Sequence, residues 1–267
     1  MLTATQLEQF DRDGFLVFPE MFSGCEVRKI QAEVERLKSA TTQALKQTAS
    51  DEIRLFYDLH NEEAPTPSLL FAHMARMPRL LDVARQVTRD DALYMFHSKC
   101  NVKEAIVGDY FQWHQDFGSW RPDGIQRPEP VTFMVMAQEA TELSGCLYFL
   151  PGSHNLGLQE PDPPPDGSGY GLRTVPPARL IEVMTELPRP VAITGKPGTC
   201  AIFHSNLMHA SGHNLSKDPR WHLYFVYNPV SNKPLPVTNP RPEYKCARNA
   251  APLVRTTDVL PELQELH

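Results

Sequence analysis

The chain has 267 residues, with 26 lysines and arginines against 32 aspartates and glutamates, a formal charge of −6. Its 41% hydrophobic and 22% charged content is an ordinary globular balance, which excludes wholesale disorder. The acidic balance supplies no basic field for nucleic acid, and no apolar run reaches the roughly 18 residues of a membrane span.

The five cysteines (Cys25, Cys100, Cys146, Cys200 and Cys246) are scattered and never spaced CxxC. Neither a disulfide framework nor a thiolate zinc site is expected. The start, MLTATQLEQFDRDGF, shows no basic and apolar leader. A reducing cytoplasm is therefore the expected compartment.

In chain order, 5–10 reads as a short amphipathic turn and 14–19 as a short strand closed by proline. Ser23 is placed to cap a helix from Glu26 to about Lys46. Through 66–88, Leu69, Leu70, Met74, Met77, Leu80, Leu81 and Ala84 recur at helical spacing. From about 93, β-branched and aromatic segments alternate with turn signals, giving expected strands at 93–102, 110–117, 131–137, 146–150, 199–204 and 221–227. The proline-, glycine- and aspartate-rich stretch 155–178 has no periodicity, as a lid or insert would. The tail 229–267 reads as irregular. Helices followed by many short strands predict one α+β unit over 1–267 on a mainly β core, a sandwich or open barrel.

The segment Tyr110-Phe-Gln-Trp-His114-Gln-Asp116-Phe117 carries the most chemistry. On a strand, His114 and Asp116 share a face, which makes two arms of a metal site. A third arm would come from the second histidine cluster, where His204, His209 and His213 surround a turn between two expected strands. Two histidines and one carboxylate leave half an octahedron open, the arrangement of non-haem Fe(II) oxygenases. Arg220 opens the last expected strand and shares a face with His222 and Tyr224. Its guanidinium fork would suit a co-substrate carboxylate. A surface arginine is the plainer alternative on spacing alone.

HQD at 114–116, Ser144-Gly-Cys-Leu-Tyr-Phe-Leu-Pro-Gly-Ser-His154, and His209-Ala-Ser-Gly-His-Asn-Leu-Ser followed by Arg220 occur in this order and spacing. Together they resemble the phytanoyl-CoA dioxygenase family over roughly residues 5–230. Asn101-Val-Lys103 and the run from Gly108 to Trp120 look most similar to the ectoine hydroxylase and free amino-acid hydroxylase branch. The resemblance implies a double-stranded β-helix (jelly-roll, cupin-like) with flanking N-terminal helices. It implies an enzyme that uses Fe(II), 2-oxoglutarate and O2. His114, Asp116 and His209 would be the metal-binding and catalytic set. Arg220, Asn101 and Ser211 would hold 2-oxoglutarate. Trp120, His97, Tyr224 and Arg121 would meet substrate. Ectoine hydroxylases carry glutamine where this chain has His97 and phenylalanine where it has Tyr224, so ectoine itself is not the expected substrate. Arg54, Arg121 and Arg127 would pair with an anionic group, or serve only as surface charge.

Asp116 favours hydroxylation over halogenation, because halogenases of this superfamily replace that carboxylate with a small residue. The reading is hydroxylation of an unactivated C–H in a small polar metabolite (an amino acid, an ectoine-like solute or an aminophosphonate), with release of succinate and CO2. One alternative is a tailoring oxygenase for a larger scaffold that hydroxylates, desaturates or cyclises. Another is a jelly-roll binding module, for which Arg220 and Asn101 would point away from the metal. The expected partner is a small molecule, with no nucleic acid or membrane, in a monomer or homodimer.

Overall fold

The computed structural model describes residues 1–40, 45–47, 53–162 and 172–262. Helix α1 (Ala4–Asp13) starts on a Thr3 capping box and ends at Gly14, which has φ 84°. Strand β1 (Phe15–Phe18) follows. Ser23 caps α2 (Gly24–Ser39): its hydroxyl accepts the Glu26 N–H, and the Glu26 carboxylate accepts the Ser23 N–H. The helix stops short of the expected Lys46. The β-branched pair Thr41-Thr42 follows it in sequence, a poor continuation. Lys46 belongs instead to β2 (Leu45–Gln47), which pairs with β3 (Ile53–Tyr57). The helical pattern at 66–88 splits into α3 (Leu69–Met74) and α4 (Pro78–Thr88). Pro78 has no N–H to donate and begins a new helix at its first position.

The remaining elements are β4 (Leu93–Lys103), β5 (Phe111–His114), α5 (Asp116–Trp120), β6 (Val131–Met136), β7 (Leu147–Phe149), α6 (Pro177–Glu186), β8 (Val191–Ile193), β9 (Cys200–His204), β10 (His209–Ser211) and β11 (Arg220–Pro229). The expected strand at 110–117 needs correction. It ends at His114, and Asp116 starts a helix.

The strands form a seven-stranded sheet, β1-β9-β6-β11-β4-β3-β2, and a four-stranded sheet, β5-β10-β7-β8. Every strand pairing described is antiparallel. Met134, Ala201 and Phe203 of the large sheet join Leu147, Phe149 and Ile193 of the small one in a single buried cluster. The sheets therefore pack face to face, in the double-stranded β-helix implied by the sequence. The other face of the large sheet carries Phe133, Ile202, Trp221, Leu223 and Phe225, packed with Ile30 and Val34 of α2 and Leu80, Leu81 and Ala84 of α4.

Strand β11 is buried along its whole length between β4 and β6. Its register with β4 slips once: Val226 faces His97 and Tyr227 faces Met95, which leaves Phe96 without a partner of its own. This bulge bends β4 beside the site. It lets Phe96 join Trp120 in one apolar cluster while His97, the next residue, faces the cavity described below. Of the tail after β11, residues 230–262 are described: a short 3-10 turn at Val230–Asn232 and then irregular chain, which is nonetheless pinned. Ala247 N–H donates to the Phe96 carbonyl and Leu253 N–H to the Leu93 carbonyl, so the tail satisfies β4 beyond the reach of β3. No helix among the described residues is long and apolar enough to cross a membrane.

Gly198 couples the N-terminal helices to the sheet. It lies at φ +92°, and an added Cβ would sit 2.2 Å from the Phe22 carbonyl oxygen. Gly198→Ala should therefore lower stability by about 1–3 kcal/mol, read as an earlier urea midpoint at unchanged slope.

Candidate metal centre

Strand pairing sets His209 of β10 directly opposite His114 of β5. Their rings lie 4.0 Å apart, centre to centre. Each histidine donates Nδ1–H to a carbonyl two residues back in its own chain: His114 to Gln112 O at 2.7 Å, and His209 to Leu207 O at 3.0 Å. That fixes the tautomer and turns both Nε2 lone pairs inward. Gln115 is extended (φ −116°, ψ 127°), so Asp116 still points to the face of His114 although it begins α5. Its Oδ1 lies 3.7 Å from His114 Nε2 and 3.9 Å from His209 Nε2. The three ligand atoms fall within 4.8 Å of one another. Burial, then the proximity of His209, holds His114 well below the usual imidazole range. Burial lowers His209 against the pull of Asp116. Both imidazoles are neutral and ready to ligate. Two nitrogens and one carboxylate oxygen on one side fit a divalent iron with open positions.

Behind this triad lies a cluster of buried bases. Arg220 is 1% exposed, Lys103 2% and His222 0%. Arg220 faces Lys103 across the β4–β11 ladder. Lys103 Nζ donates to Ser211 Oγ at 2.8 Å and to the carbonyl of Gly212. Arg220 donates to His222 Nδ1, which makes His222 the Nε2–H tautomer. No carboxylate pairs with these three among the described residues, and Arg220 Nε, His222 Nε2 and Asn101 Oδ1 have no partner there. Burial, with Arg220 nearby, pushes Lys103 down to about 6. Unpaired buried cations are costly, so the arrangement calls for an anion. A dicarboxylate such as 2-oxoglutarate matches the donor set: a guanidinium, an ammonium and a hydroxyl at one end, with the metal triad one register step away.

A cavity joins the parts. Asn101, His114, Asp116, His209, Ser211, Tyr224, Trp120 and His97 all line it. Ser211 bonds to Lys103 rather than to Arg220. Burial pushes Tyr224 up to about 12, and its phenol lies against Arg220. Arg121 does not reach the cavity. It stands exposed and pairs with Glu160 at 3.1 Å, because the turn after α5 faces outward there. Arg127 is likewise exposed and tied to Glu129. The side chain of Arg54 lies outside the described residues, as do residues 163–171 of the stretch 155–178. The described flanks of that stretch are anchored to the metal-bearing turn. Gln115 Nε2 donates to Gly157 O and Asn206 O, and Val175 N–H donates to Trp113 O.

Three cations of the cavity or its floor had no role in the sequence reading: Lys99, Lys103 and Arg241. For the two lysines a signal was present. His97, Lys99, Asn101 and Lys103 recur every second residue along β4, interleaved with Ser98, Cys100 and Val102. Polar side chains at strand period in the middle of a sheet mark a lined cavity. Arg241 arrives from the irregular tail, with no periodicity to announce it.

Residues 10–221 match the family model described as phytanoyl-CoA dioxygenase. An ectoine dioxygenase of Sphingopyxis alaskensis is 34% identical over 271 residues, 95% of this chain and 86% of that protein. The L-proline trans-4-hydroxylase of Streptomyces griseoviridis is 29% identical over 92% of this chain and 93% of its own. Among solved structures, EctD from S. alaskensis with 2-oxoglutarate and 5-hydroxyectoine superposes with a TM-score of 0.83 at 32% identity, covering 97% of this chain and 89% of that one. With its triad, its buried cations and its double-stranded β-helix in that company, the chain belongs to the phytanoyl-CoA dioxygenase family.

Proposed function

We propose that this protein is an Fe(II)- and 2-oxoglutarate-dependent dioxygenase that hydroxylates a small polar metabolite. The observation that carries this reading is the convergence of His114, Asp116 and His209 beside buried cations that lack a counter-charge. The three ligands would hold iron, and Arg220, Lys103 and Ser211, with Asn101 beside them, would hold 2-oxoglutarate. When bound, iron with 2-oxoglutarate and O2 supplies the oxidising chemistry: one oxygen atom enters succinate as CO2 leaves, and the other enters a C–H bond.

The chain's own contribution is placement. The backbone carbonyls of Gln112 and Leu207 orient the two imidazoles. The ladder between β4 and β11 sets the anion floor at a fixed depth below them. Trp120, edge-on to Phe96 at 5.4 Å, closes the cavity wall with an apolar face and excludes water. Charged and hydrogen-bonding groups on the opposite wall suit a small polar substrate better than a large apolar scaffold. Asn101 faces the same cavity as the triad, which speaks against a mere binding module. The five cysteines are free thiols, four of them buried, which supports a reducing cytoplasm. We take the enzyme to act as a monomer or homodimer on its small-molecule substrate alone.

Anaerobically purified protein given Fe(II), 2-oxoglutarate and then O2 should release succinate, and release it faster with one member of a panel of amino acids, ectoine and aminophosphonates. Asp116→Ala and Arg220→Ala should each lower the rate by at least about 100-fold. Iron-bound protein that makes no succinate would sink the reading.

The buried lysine adds a pH signature. Free Lys103 is mostly neutral above about pH 6, and an adjacent carboxylate favours its charged form. Binding of 2-oxoglutarate should then take up a proton, and affinity should fall as pH rises above about 6. Titration calorimetry in two buffers of different ionisation enthalpy reads the uptake directly. Lys103→Met should abolish it.

A further inference from the structure

The cavity holds a second cation that the co-substrate does not need. Lys99 and Lys103 lie on the same face of β4, roughly 13 Å apart along the strand at 3.3 Å per residue. Lys103 belongs to the buried floor with Arg220 and Ser211. Lys99 lines the open part of the cavity, half-buried. Its Nζ lies 5.2 Å from the centre of the Tyr224 ring, a cation–π contact that holds the ammonium inside. It makes no hydrogen bond or ion pair to any described residue.

The charges around it are otherwise spoken for. Asp116 is the carboxylate of the metal triad. Arg241 lines the same cavity, but its Nε donates to Asp123 Oδ2 at 2.7 Å and its backbone N–H to Asp123 Oδ1, so its charge is matched. Lys245 stands further out over the ring of Tyr57. With iron on the triad and a dicarboxylate on Arg220 and Lys103, Lys99 is the described cavity-lining cation left without a counter-charge.

Its neighbour on the strand face is an acceptor. His97 Nδ1 lies 2.9 Å from the Lys245 carbonyl, which can only accept, so Nδ1 carries the proton. Burial keeps the ring neutral. The nitrogen left for a ligand is Nε2, a lone pair. Two residues apart on one face, Lys99 and His97 stand about 7 Å apart along the strand.

We propose that the primary substrate carries an anionic head, a carboxylate or phosphonate, that pairs with Lys99, and beside it an N–H or O–H that donates to His97 Nε2. A small amino acid, imino acid or aminophosphonate has both groups. The inference rests on the dioxygenase reading and narrows its substrate class through residues outside the metal triad and the anion floor.

Matched pairs test it: L-proline with L-prolinamide, ectoine with its methyl ester, and 2-aminoethylphosphonate with ethylamine. Succinate formation by the Fe(II)- and 2-oxoglutarate-loaded protein should be accelerated by an anionic member and not by its partner, and the phosphonate pair separates the two kinds of head. For the accelerating compound, Lys99→Met should raise KM at least about tenfold while Lys99→Arg retains most of the affinity. His97→Leu should raise KM, and His97→Gln, which keeps an acceptor, should restore it. Anaerobic calorimetry of 2-oxoglutarate binding to Lys99→Met, without substrate, supplies the second readout. A tenfold loss there would assign Lys99 to the co-substrate and overturn the proposal. Neutral partners that accelerate equally, or slow substrate-free succinate that no anion accelerates, would also overturn it while leaving the dioxygenase standing. Absence of even substrate-free succinate would bring down the dioxygenase reading and this proposal together.

Discussion

Positive charge buried without a partner is the constraint around which the site is built. Arg220 sits on a strand that is closed on both sides by other strands, at 1% exposure. An uncompensated ion there costs several kcal/mol even after relaxation. The protein limits that cost locally. Lys103 is pushed toward its neutral form, and His222 stays neutral and accepts a hydrogen bond from the guanidinium. What it does not supply is a carboxylate. The missing charge is thus a specification for an anionic ligand, and the orphaned Arg220 Nε–H gives that ligand a hydrogen-bond donor.

The ladder between β4 and β11 distributes this chemistry by depth. Arg220 opposes Lys103, His222 opposes Asn101, and Tyr224 opposes Lys99. Each step of two residues moves outward from the anion floor. A register slip of one residue would send every one of these groups into the apolar layer against α2 and α4. The opposite faces, with Trp221, Leu223 and Phe225 on one strand and Cys100 and Val102 on the other, are packed there and hold the register. Core packing and ligand placement are therefore the same constraint seen from two sides of one sheet.

Much of this was legible in the sequence because the strands announce themselves by alternation. Five of the six expected strands lie within a residue or two of where the pattern put them, the sixth is cut short at His114, and the HQD and histidine-cluster blocks are brought together across the small sheet. Three features were not legible, for physical reasons. Strands of three residues, such as β8 and β10, are too short for periodicity to register. The helix start at Asp116 depends on tertiary packing, since no cap side chain marks it. Arg121 directly follows the cavity-lining pair Ser119-Trp120, yet the turn carries it outward to Glu160, a direction that sequence spacing does not encode.

The two ligand histidines are oriented by carbonyls two residues behind them, and so by local backbone alone. The anion floor is oriented by sheet register. Neither depends on Lys99 or His97, which stand on β4 away from the anion floor, His97 next to the bulge at Phe96. The ladder that carries these two residues is held by main-chain hydrogen bonds, which do not depend on the side chains at 97 and 99. The fold thus separates the oxidising chemistry from recognition: the first is fixed by elements that cannot move without breaking the core, and the second by two side chains that can be exchanged on a standing strand. One scaffold can then serve different small metabolites by changing those positions, so the choice of substrate rests on Lys99 and His97 and not on the fold.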